Sequence, residues 1–290
     1  MEFFDCPDDF DDYWNHVLVR LKKVPLNAKE FLNPLHSNEF CNCYEVFFLS
    51  FDSYKLFGYL SIPYGEGPFP AIFSGSSYRS AVEPLFQGEA KEKRGRFIIF
   101  SAASRGQRNA DSPFVAKYPG LFTEGIDSPY TYVYRKIIGD WLRGIQYLVA
   151  RPEVDRKRII VAKQNSLPII AASLCSDITH VIAKPGSFAG INDKNTEELN
   201  DYLRMYPKKY KCVLNTLSYF NLNNFCKGLS ARTLLWGAAD VLKNLASKIS
   251  GKTDIQQSEQ SQFKDGLFEE EWIAHNLGFS EPIIPACWRK

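Results

Sequence analysis

From residue 71 onward the chain repeats one device: a short apolar run, a turn, a helical stretch, then another apolar run. Ala71-Ile72-Phe73, Arg96 to Phe100, Arg158 to Ala162, Val181-Ile182-Ala183 and Thr233 to Trp236 read as buried strands. Tyr132 to Leu148 is the best-defined helix, with Val133, Ile137, Trp141, Ile145 and Leu148 on one face. Leu167 to Leu174 reads as a second helix, built of small and apolar residues. Strands alternating with helices predict an α/β fold: a doubly wound, mostly parallel sheet with helices on both faces.

The remainder reads differently. Phe10 to Val24 has helical spacing (Trp14, Val17, Leu18, Leu21) and opens on aspartates, which suit a helix N-terminus. Tyr44 to Leu49 and Leu56 to Ile62 predict paired strands, and Tyr64 to Pro70 a turn. Pro113 to Tyr130 lacks periodicity and is rich in glycine and proline, which predicts a long surface loop. Gly251 to Gln262 is polar and predicts either a weak edge strand or a disordered connection. A chain of 290 residues, 45% apolar, can bury one large sheet, so one domain spanning 1–290 is expected, its first 65 residues or so an extension of helix and strands.

Charge and cysteine usage exclude several classes. A net charge of +2 is too weak a field to argue for nucleic acid. No run of 18 apolar residues predicts a membrane span, and Met1 to Asp5 lacks the pattern of a signal peptide. Seven scattered cysteines suit reduced thiols, so a cytoplasmic protein is expected. Cys41-Asn42-Cys43 has no further ligands at metal spacing, and the acidic run Asp5 to Asp12 lacks the alternation of a calcium loop. No metal or cofactor is expected.

Six segments in order resemble one family, the acetyl xylan esterases and cephalosporin C deacetylases, the seventh carbohydrate esterase family. They are Asp9 to Trp14, Glu66 to Ile72, Arg105-Gly106-Gln107, Tyr132 to Arg135, Thr216 to Asn221, and Trp236 to Asp240. The resemblance implies an α/β-hydrolase. It places Asp240 on the catalytic acid, Tyr78 on the residue whose backbone N–H helps form the oxyanion hole, and Ser166 on the second oxyanion donor. It makes Arg105 and Gln107 structural ties between loops. It also implies ring-like assembly, hence a homo-oligomer or pairing with a paralogue.

The same resemblance exposes what is missing. Val161 to Pro168 stands where the nucleophile turn should read Gly-x-Ser-x-Gly, and the nucleophile position is Asn165. The family histidine is expected around Glu259 to Ser261, and none is there. An amide nitrogen delocalised into its carbonyl does not attack an acyl carbon, and losing serine or histidine from such a triad costs roughly a millionfold in turnover. Lys163 and Leu167 replace small residues and Pro168 stiffens the first helical turn, so a relaxed elbow is expected.

Two readings follow. In the first, the chain keeps the hydrolase fold without hydrolysis and binds a small acylated sugar or metabolite, or a partner protein. In the second, it remains an acetyl esterase with a displaced triad of Ser166, Asp240 and His275. Against the second, Ser166 or Asn165 fits a helix cap better, and His275 fits a helix surface. His180 stands at the wrong end of its strand, while His16 and His36 belong to the N-terminal segment.

Overall fold

The computed structural model describes residues 5–75, 80–84, 90–107, 114–190 and 194–285. In chain order the regular elements begin with α1 (Phe10–Lys22), β1 (Lys29–Leu32), β2 (Cys41–Leu49), β3 (Lys55–Pro63), β4 (Phe69–Gly75) and β5 (Ile98–Ala102). There follow α2 (Val133–Val149), β6 (Val154–Lys163), α3 (Leu167–Leu174), β7 (His180–Ala183), α4 (Lys194–Met205), α5 (Tyr210–Ser218) and α6 (Leu222–Cys226). The chain closes with β8 (Arg232–Trp236), α7 (Ala239–Ala246), β9 (Thr253–Gln256) and α8 (Gln262–Leu277).

The strands form one nine-stranded sheet in the order β1-β2-β3-β5-β4-β6-β7-β8-β9. From β5 to β9 every neighbour is parallel, while β1, β2 and β3 join antiparallel at one side. The fold class is therefore as read from the alternation of runs. The polar stretch after residue 250 supplies β9, a short edge strand beside β8.

Strand alternation sorts side chains into two cores. Phe73, Phe100, Val161 and Leu235 face α1, α2 and α3. Ile72, Ile99, Ile160, Ile182 and Leu234 face the opposite way, toward Trp272, Ile273 and Leu277 of α8. Adjacent strands β4 and β5 both read Ile-Phe-Ser, and their register aligns Ile72 with Ile99 and Ser74 with Ser101.

Three of the segments that carry the resemblance meet in one aromatic cluster. The Tyr13 hydroxyl donates to the Pro129 carbonyl (2.6 Å), the Trp14 indole to the Tyr219 carbonyl (3.1 Å), and the Tyr219 hydroxyl to Asp9 Oδ1 (2.6 Å). Tyr132 meets Phe220 edge-on at 4.8 Å between ring centres. Buried rings with polar tips that all find partners lock α1 to the chain before α6.

The proline- and glycine-rich stretch before α2 departs in part from expectation, and its first residue, Pro113, lies outside the described residues. Val115, Tyr118 and Tyr130 are exposed as a surface loop requires, but between them the stretch carries Leu121, Phe122 and Ile126 into the core. Neighbouring side chains pair its buried backbone: the Tyr132 hydroxyl donates to the Phe122 carbonyl at 2.9 Å, and the Phe122 N–H donates to Glu198 Oε2 at 3.0 Å. Apolar residues without periodicity signalled burial here, because an irregular chain can be buried once its polar groups are paired.

Candidate active site

The parallel strands bring their carboxyl ends to one rim, where open α/β sheets bind ligands. Ser104 to Gln107 follows β5, Gln164 to Ser166 follows β6, and Gly237 to Asp240 follows β8. Tyr78 lies outside the described residues.

Arg105 and Asp140 form the strongest polar link beneath this rim. Arg105 Nε donates to Asp140 Oδ2 (2.8 Å) and Nη2 to Oδ1 (2.7 Å), while the Arg105 backbone N–H adds a third bond to Oδ2 (3.0 Å). Both side chains are buried. Burial, the largest single influence, depresses the guanidinium pKa, but the Asp140 charge and hydrogen bonds, with Tyr54 and Asp52, together outweigh it and the net shift is upward. The Tyr54 ring stacks on the guanidinium at 4.5 Å. Gly106 holds φ at +81°, a left-handed angle that glycine adopts without penalty. Gln107 Oε1 then accepts from the Ser80 backbone N–H at 3.2 Å. The tripeptide thus ties the loop after β5 to α2 on one side and to the chain after β4 on the other.

The turn after β6 is relaxed. Among the described residues, positive φ outside glycine is confined to Asn27, Asp52, Ser53 and Gln260, so Asn165 is not held in the left-handed region. The Asn165 side-chain carbonyl accepts from the Leu167 N–H (2.9 Å), an Asx turn that leads into α3. Ser166 is buried, and its hydroxyl accepts from the Gly186 N–H at 3.1 Å, joining this turn to the chain after β7. Asparagine therefore serves the helix end, and the serine serves the neighbouring loop.

The displaced triad is not brought together. Asp240 is exposed in the first turn of α7, where a carboxylate suits the helix dipole. His275 is exposed near the end of α8. Among the described residues, no hydrogen bond joins any two of Ser166, Asp240 and His275. Of the four histidines, His180 meets a hydroxyl, with Thr179 Oγ1 at 2.8 Å from Nδ1. It does so at the start of β7, across the sheet from the rim. Burial lowers its pKa. His16 and His36 are exposed.

Where the family histidine is expected, the chain is fastened to α8 instead. The Ser258 hydroxyl and the Glu259 N–H (2.9 Å) both donate to Asp265, and the Ser261 hydroxyl accepts from the Lys264 N–H.

The rim opens on its α8 side into a cavity of about 530 Å³. Its floor is the isoleucine row of the sheet, and Gly266, Glu269, Glu270 and Ile273 of α8 form the opposite wall. Gln164 lines it, whereas Asn165, Ser166, Asp240 and His275 do not. Sequence reading passed over this space. Its trace was available: Gln262, Asp265, Gly266, Glu269, Glu270 and Ile273 share one helix face, and that face is polar for its first two turns.

Comparison with known proteins identifies the family and the fold. A family model described as acetyl xylan esterase matches residues 4–240. The acetyl esterase Axe7A of Xylanibacter ruminicola is 23% identical over 251 residues, covering 81% of this chain and 57% of that protein. The chain thus spans little more than half the length of that relative. Acetyl xylan esterase 1 from Thermoanaerobacterium sp. superposes with a TM-score of 0.79 at 20% identity, over 91% of this chain and 93% of that one. The acetyl xylan esterase from Paenibacillus sp. R4 also gives 0.79, at 21% identity, over 95% and 96%.

Proposed function

The chain belongs to the acetyl xylan esterase family, and we propose that it uses the family's fold to bind an acylated carbohydrate without hydrolysing it. One observation carries this reading. The nucleophile position is Asn165, its side chain is committed to the α3 backbone, and no imidazole hydrogen-bonds to a hydroxyl at the rim among the described residues. Acyl transfer needs an activated nucleophile and a base within hydrogen-bond reach. With both absent, only oxyanion donors and binding remain, which in a stripped triad supply roughly a thousandfold over water.

What persists suits retention of a ligand. By the family resemblance Ser166 would supply the second oxyanion N–H, and Arg105, Gly106 and Gln107 tie the loop after β5 to its neighbours. The names of the relatives give the ligand class: their acetyl esters are what this rim is proposed to hold.

The test has two arms. Purified protein is incubated with an aryl acetate and with a fluorophosphonate probe, alongside Ser166→Ala. Background turnover and no covalent label are expected, and labelling at Ser166 with turnover lost in the variant would establish the displaced triad instead. Calorimetric titration with an acetylated xylo-oligosaccharide, recovered unchanged afterwards, is the binding arm. No heat of binding at millimolar ligand would remove the proposal.

A further inference from the structure

We infer that the cavity between the sheet and α8 is a second binding site, for a small uncharged molecule with an apolar acyl or aryl body and one hydroxyl. Its size falls within the range of small-molecule pockets, about 300–1,000 Å³. The body is set by the floor: Ile72, Ile99, Ile160 and Ile182 face Ile273 across the space. The hydroxyl is set by Ser101, which lines the cavity, is 2% exposed, and makes no hydrogen bond through its side chain among the described residues. That hydroxyl opens to the cavity space, so a ligand hydroxyl there would supply the hydrogen bond that no described protein group makes. Ser74 stands beside it in register on β4, with a long 3.4 Å contact to its own neighbour's carbonyl.

Absence of charge follows from how the wall's carboxylates are used. Glu270 is paired with Lys93 at 2.5 Å, and both are largely buried. Glu269 accepts from the Trp236 indole at 3.2 Å, and Asp265 accepts from Ser258 and the Glu259 N–H. A charged ligand would leave water for a space whose counter-charges are already engaged, which is unfavourable. Lys163 and Lys184, which also line the cavity, are the cations that an anionic ligand would use instead. None of Asn165, Ser166, Asp240 and His275 lines the cavity, so this inference stands or falls separately from the loss of hydrolysis.

The experiment compares benzyl alcohol, toluene, benzoate and benzylammonium, which share one body and differ in head group. Binding to the full chain is read from the Trp236 indole N–H resonance, assigned with Trp236→Phe. Benzyl alcohol is expected to bind saturably and more tightly than the other three. Ser101→Ala should weaken it about three- to tenfold, one hydrogen bond's worth, and leave toluene unchanged. Ala162→Phe, which fills the floor, should abolish binding of all four. No saturable shift with benzyl alcohol, tighter binding of benzoate or benzylammonium, or an equal loss for toluene in Ser101→Ala would each overturn the inference. Should Ala162→Phe not fold, the Ser101→Ala comparison decides alone.

Discussion

Replacing Asp140 by alanine tests whether the retained tripeptide is held by its buried ion pair. The wild-type arginine gives three hydrogen bonds to that carboxylate, at 2.7, 2.8 and 3.0 Å, with both side chains at most 4% exposed. Alanine leaves a guanidinium buried without a counter-charge, and breaking a buried pair from one side costs about 3–5 kcal/mol. At this chain length 1 kcal/mol moves a thermal midpoint by about 2 °C, so a fall of about 6–10 °C is expected. Denaturant titration gives the same quantity directly. The double variant Arg105→Met/Asp140→Leu should recover most of the loss, because replacing both charges removes the desolvation penalty with the attraction. A loss below about 1 kcal/mol for Asp140→Ala, or a double variant no better than the single, would refute the assignment of this pair as a structural tie.

Further outcomes are expected. Gly106→Ala should cost about 1–2 kcal/mol by calorimetry, since φ of +81° is strained for alanine and the new Cβ would stand 2.8 Å from the Leu121 side chain. Burial lowers the His180 pKa, so the unfolded chain binds the extra proton first: stability should decline as pH falls below about 6.5, and His180→Gln should flatten that slope in pH-dependent unfolding. Asn165→Ser alone should leave aryl acetate turnover at background, because no imidazole meets a hydroxyl at the rim among the described residues and the turn is relaxed; turnover within tenfold of an active family member would mean that a base is present after all.

How much of this was readable beforehand varied with the kind of interaction. Leu167–Leu174 is correct to the residue because a proline at its start and an unbroken apolar run are local signals. β1 gave none: all four of its residues are exposed and it is held by backbone pairing to β2. α4 and α5 were likewise invisible, since Leu199, Val213 and Leu217 form a buried stripe only once their neighbours are known. At the rim, the identity of Asn165 was plain, but its bond to Leu167 and the bond from Gly186 to Ser166 were not, the latter joining residues 20 apart. The cavity was least legible, being assembled from single residues of several strands and one helix face.

The unstrained turn at Asn165 has a consequence for reversibility. A tight elbow forces small residues on its flanks, and once the backbone no longer needs them, Lys163, Leu167 and Pro168 are free to accumulate. On the proposed reading, regaining a working nucleophile would require several substitutions together, none useful by itself, so the change at this turn would act as a ratchet.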